Sequence, residues 1–103
     1  MSLSEMTFFE RFETDILSGK KTITIRDELE KDYASDSIVQ VSTLETGRWF
    51  CALKIDSVVA IKFDDLTEFH AHQENMSLVE LKAVIREIYP NINDLYVISY
   101  ALV

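Results

Sequence analysis

Residues 22–26 read Thr-Ile-Thr-Ile-Arg, and this run constrains the fold more than any other stretch of the chain. Its two-residue period places Ile23 and Ile25 on one face of a strand and Thr22, Thr24 and Arg26 on the other. One face is apolar and asks for a core. The other carries hydroxyls and a guanidinium. Gly19 stands just before the run as a helix stop, and the charged stretch 27–37 that follows reads as a loop.

The remaining elements fall around this strand. Thr7 with Glu10 has the spacing of a capping box, and Phe8, Phe9, Phe12, Ile16 and Leu17 recur at helical spacing. They predict a helix over 8–18. Residues 38–44 read as a second strand. Thr46-Gly47 reads as a turn, and 48–61 as a long strand or a bent pair. A short helix is predicted over 64–72 and a loop over 73–76. Ser77 and Glu80 form a second capping-box pattern ahead of the apolar stripe Leu78, Leu81, Ile85 and Ile88. Pro90 lies just past that helix, and 95–102 closes the chain as a strand.

A strictly alternating strand–helix order is absent, so a doubly wound parallel sheet is disfavoured. An α+β fold with a small, barrel-like sheet and flanking helices fits better, because closure removes the exposed strand edges. With 103 residues the chain is read as one domain, 1–103, and 48% apolar residues supply a core. The lone cysteine, Cys51, cannot form an internal disulfide, which points to a reducing compartment. No signal-peptide pattern or membrane-length apolar run is visible, so a cytoplasmic protein without a membrane partner is expected. A monomer is expected from size.

Ten Lys and Arg stand against eighteen Asp and Glu, a net charge of −8. An acidic surface disfavours a salt-dependent grip on RNA or DNA, so nucleic acid is an unlikely partner. A local cationic pocket for a small ligand remains compatible. Lys20, Lys21 and Arg26 fall within seven positions.

That cluster has two readings. A lysine pair at a helix end offsets the helix dipole, and Thr–Ile alternation is an ordinary half-buried strand. Alternatively, the Thr24 hydroxyl is a nucleophile and the Lys21 amine its base, with a pKa lowered by burial and neighbouring cations. Arg26, sharing the parity of Thr24, would hold a carbonyl or an oxyanion. In a regular strand Lys21 would share the face of Ile23, so this reading requires Lys21 to lie outside the pleat. Glu74, in a polar loop before Ser77, is a candidate general acid. His70 and His72 are two apart on a predicted helix and face different directions, which argues against a metal site. Tyr33, Trp49 and Phe50 are candidates to line a pocket or to belong to core and surface.

Two stretches carry a resemblance. TFFERFETDILSGKKTITIRD, 7–27, and LTEFHAHQENMSLVELKAVIREIYP, 66–90, together with the closing LYVISY, are similar to the small bacterial ASCH-domain N(4)-acetylcytidine amidohydrolases of the YqfB type. The middle, 32–63, is less distinctive. The resemblance implies a PUA-like β-barrel with flanking helices and hydrolysis of N(4)-acetylcytidine to cytidine and acetate. It implies Lys21 as proton acceptor, Thr24 as nucleophile and Glu74 as proton donor, with no metal or organic cofactor and a small nucleoside as substrate. The alternative is a PUA-like module that binds RNA or a modified nucleoside without catalysis.

Overall fold

The computed structural model describes residues 3–103. Among them, five strands form one mixed sheet: β1 (Glu5–Phe8), β2 (Ile23–Arg26), β3 (Ile38–Thr43), β4 (Trp49–Lys62) and β5 (Asp94–Leu102). Their spatial order is β1-β3-β4-β5-β2. β1 runs parallel to β3, and the other pairs are antiparallel. Three α-helices accompany the sheet: α1 (Glu13–Leu17), α2 (Glu68–Gln73) and α3 (Leu78–Ile88). The fold is α+β.

β4 is a single long strand. A register shift between Ile55 and Ser57 leaves Asp56 as a bulge. Such an extra residue bends a strand and increases its twist. Two core clusters result. One collects Met6, Phe8, Val39, Val41, Cys51, Leu53, Ile55, Ile98 and Tyr100 from four strands, with Ile16 of α1 and Tyr33. The other packs Ile23 and Ile25 of β2 and Leu95 and Val97 of β5 against Ala71 of α2 and Leu81 and Ile85 of α3. Ile23 is almost fully buried, and burying such a side chain contributes roughly 1.5–3 kcal/mol.

The sheet is not closed. β1 and β2 are its two edges. The barrel expected from closure is therefore corrected to a curled, open sheet. Where β1 and β2 face each other, a cavity lies between them, with Thr7 and Phe8 on one side and Thr24, Ile25 and Arg26 on the other. The Arg26 side chain, rather than a backbone ladder, crosses the gap: its Nη2 donates to the Thr7 carbonyl at 2.7 Å.

The N-terminal prediction also changes. Thr7 is not a helix cap but part of β1, where Met6 and Phe8 are buried and Glu5 and Thr7 are exposed. A 3-10 turn (Glu10–Phe12) follows, and α1 starts only at Glu13. The Glu10 amide is satisfied by the Glu45 carboxylate, at 3.0 and 3.2 Å, from the β3–β4 turn. The capping box at Ser77 and Glu80 forms as read, with Glu80 N–H donating to Ser77 Oγ at 3.1 Å and Ser77 N–H to Glu80 Oε1 at 3.3 Å.

Candidate active site

The approach to β2 is set by the end of α1. Gly19 adopts φ +78°, a conformation that glycine takes without a Cβ penalty and that commonly ends helices. The chain then reverses, and the amides of Lys20 and Lys21 both donate to the Asp15 carbonyl, at 2.9 and 3.0 Å. β2 begins at Ile23, so Lys21 lies outside the regular pleat. Its side chain turns inward and is only 3% exposed. Nζ donates to the Ile23 carbonyl at 3.0 Å and to Glu74 Oε1. The Phe8 and Phe12 ring centroids lie 5.6 and 5.1 Å from it, within cation–π range.

Glu74 lies 53 residues further along the chain. It is the C-cap of α2, and Asn75 after it adopts φ +57°. Asn75 N–H donates to the His72 carbonyl and Met76 N–H to the Ala71 carbonyl, both at 3.0 Å. This pair of bonds is a Schellman ending, and it turns Glu74 towards the sheet. Its carboxylate is buried with Lys21. The Thr22 amide donates to the Gln73 carbonyl at 2.8 Å, tying the start of β2 to the end of α2.

Burial lowers the pKa of the Lys21 ammonium. The Arg26 charge acts in the same direction, and Glu74 and Asp15 oppose them. A buried pair of this kind holds one transferable proton. It exists as ammonium and carboxylate or, after a shift along the hydrogen bond, as amine and carboxylic acid. Burial favours the neutral amine of Lys21.

Thr24 is also buried, and its Oγ1 accepts from Arg26 Nε at 2.9 Å. Arg26 is itself fixed on several sides. Nη1 donates to Glu30 Oε2 at 2.6 Å, Nη2 reaches the Thr7 carbonyl, and the guanidinium lies 4.8 Å from the Phe8 ring centroid. Tyr89 donates to Glu30 Oε1 at 3.4 Å. Lys21, Thr24, Arg26 and Glu74 all line one cavity, whose apolar walls include Phe9, Phe12, Leu44, Val84 and Ile88. The cavity thus holds a hydroxyl, a fixed cation and a buried acid–base pair beside apolar surface. This set can perform acyl transfer without a metal ligand set.

A family model described as ASCH domain matches residues 4–88. This chain belongs to the ASCH domain family. A relative from Vibrio atlanticus (strain LGP32) is 70% identical over 98 residues, covering 95% of this chain and 94% of the relative. One from Vibrio vulnificus (strain YJ016) is 67% identical over 97 residues, covering 94% and 93%. Both are named N(4)-acetylcytidine amidohydrolase. The crystal structure of an ASCH domain from Lactobacillus crispatus JV V101 shares the fold with a TM-score of 0.79 at 16% identity, over 98% of this chain and 80% of that one.

Other sequence candidates lie elsewhere in this ASCH domain. Trp49 is 58% exposed and donates through Nε1 to Gln40. Tyr33 is in the core and donates to the Glu5 carbonyl, and Phe50 packs partly buried against the same cluster. The His70 imidazole accepts the Thr67 amide at 3.1 Å, completing the capping box of α2. The cavity aromatics are instead Phe8, Phe9, Phe12 and Tyr89. Three of these were visible in the sequence only as a helical stripe. Glu30, which holds Arg26, had no local signal beyond its place in an acidic stretch. No helix among the described residues is long and apolar enough to cross a membrane.

Proposed function

We propose that this chain hydrolyses N(4)-acetylcytidine to cytidine and acetate, as the names of its relatives describe for them. The observation that carries the reading is the buried Lys21–Glu74 pair in the same cavity as the Thr24 hydroxyl. In its amine–acid form the pair already holds both the base and the acid that an amide hydrolase needs. Lys21 takes the Thr24 proton as Oγ1 bonds to the acetyl carbon. Arg26 stabilises the alkoxide through Nε and the carbonyl oxygen through its remaining N–H groups. Glu74 protonates the exocyclic nitrogen, the C–N bond breaks, and cytidine leaves. The pair is then ammonium and carboxylate. Water attacks the acetyl-threonine ester, giving its proton to Glu74, while Lys21 returns a proton to Thr24. Acetic acid departs, ionising to acetate in water, and the starting form is restored.

The cytosine amine is a workable leaving group because its lone pair delocalises into the ring. The apolar walls suit the faces of a base and the acetyl methyl group. A neutral nucleoside fits the acidic chain better than a nucleotide, and no cofactor takes part. We further propose that the chain acts as a single-domain, cytoplasmic monomer.

The Thr24 hydroxyl is held by Arg26 while Lys21 Nζ bonds Ile23 and Glu74. Catalytic hydrogen bonds commonly tighten only when substrate is present, so the base–nucleophile contact belongs to the complex. The test is acetate release from N(4)-acetylcytidine by wild type, Lys21→Ala, Thr24→Ala and Glu74→Gln. Loss of a general acid or base lowers kcat roughly 100- to 10,000-fold. Full activity of Thr24→Ala would remove the nucleophile. Tight binding by wild type without turnover would leave a nucleoside-binding module.

A further inference from the structure

We propose that Asp15 and Asn75 are positioning residues that hold the Lys21–Glu74 pair in register. The inference rests on reading that pair as the acid and base. Lys21 and Glu74 come from segments far apart in the chain, and each adjoins a turn with a left-handed residue: Gly19 before Lys21, Asn75 after Glu74. Asp15 touches both turns. Its main-chain carbonyl accepts the amides of Lys20 and Lys21. Its carboxylate Oδ1 accepts from Asn75 Nδ2 at 3.1 Å. Asn75 is exposed, so its side chain is not there to fill a core.

A non-glycine residue at positive φ carries a backbone cost, which Asn tolerates best. Glycine would satisfy the φ requirement alone. Asparagine adds the one thing glycine lacks, a donor that reaches Asp15. On the other flank of the pair the link is a main-chain hydrogen bond, Thr22 N–H to the Gln73 carbonyl. The Asp15–Asn75 contact is therefore the side-chain link between the two turns beside the pair.

Asp15 has a second, separable effect. The groups facing Lys21 are Glu74 at the end of α2, Arg26 on β2 and Asp15 in α1, besides the Phe8 and Phe12 rings. The Asp15 charge favours the ammonium. Asp15→Asn keeps an acceptor for Asn75 and removes only the charge. Asp15→Ala removes both. Asn75→Gly keeps the left-handed backbone and removes only the donor.

The experiment measures kcat, KM and the pH profile of acetate release for these three variants and for the Asp15→Ala/Asn75→Gly double variant. Asp15→Ala and Asn75→Gly are expected to lose about tenfold in kcat with KM within about twofold, and the double variant no more than either single, because the two residues act as one contact. Asp15→Asn is expected to keep kcat within about threefold and to move the acid limb of the profile to lower pH. A wild-type kcat in Asn75→Gly, additive losses in the double variant, or an equal loss in Asp15→Asn would overturn the proposal. Titration of the Lys21 side chain by NMR in the same variants needs no substrate. If wild type releases no acetate, the proposed reaction fails, and an unchanged Lys21 titration in Asp15→Ala and Asn75→Gly would separately overturn the positioning role.

Discussion

At the scale of single residues, the site puts reactivity and stability in opposition. Lys21 and Glu74 are both buried. Removing water from two charges costs several kcal/mol per ion, and their attraction offsets this only while both remain. Lys21→Ala should therefore lose about 3–5 kcal/mol of stability, because it strands a buried carboxylate. Lys21→Met with Glu74→Leu should be inactive yet at least as stable as wild type in urea denaturation. A large loss in that double variant would mean the pair is also a structural anchor. The candidate nucleophile and base were legible here because they share one short run, 21–24, and parity alone required Lys21 to leave the pleat. Glu74 was legible as a candidate acid in a polar loop, and the resemblance singled it out from the other acids. Its nearness to Lys21 depends on two turns and a main-chain bond, Thr22 to Gln73; Gly19 marks the first turn in the sequence, but nothing local announces that the two turns meet.

Among the elements, the turns set the geometry. At Gly19 the backbone is left-handed, and a Cβ there would meet nothing within 4 Å. Gly19→Ala should thus cost about 1–2 kcal/mol through backbone strain alone, with part of it appearing as lower kcat because Lys21 follows directly. Gly19→Asn should be milder. Ser77→Ala removes the acceptor for the Glu80 amide and should cost about 1 kcal/mol with unchanged KM. Both are measurable by urea midpoints alongside steady-state rates. α3 and β5 could be read from the chain because capping residues and apolar period agree. β1 could not. Its alternation, Met6 and Phe8 inward, spans four residues and runs straight into the helical spacing of Phe8, Phe9 and Phe12. Its partner β3 is parallel and distant, so no hairpin turn announces the pairing.

Over the whole molecule, charge and burial fix the response to pH. Burial pushes the Cys51 thiol up to about 11 and Tyr89 up to about 12, and it raises Tyr33 and Tyr100 as well. These acids keep their protons in the folded state at pH values where the unfolded chain has lost them, so stability falls as pH rises through this window. Lys21 has the opposite sign, since its pKa is lowered, but it adds no slope once pH exceeds its unfolded value. The urea midpoint should drop between pH 10.5 and 11.5; a flat profile there would contradict the burial of these groups. Strand order and closure were the least legible features, because twist and two register shifts along β4, at Phe50 and at Asp56, decide them. The open sheet has a further effect. Its two edges meet through one arginine and a cavity, so whatever fills that cavity completes a seam that the backbone leaves undone. Occupancy then acts as a removable stitch. A product or inert analogue at about one hundred times its Kd adds roughly 2.7 kcal/mol, and amides of β1 and β2 at the seam should slow their hydrogen exchange when the stitch is in place.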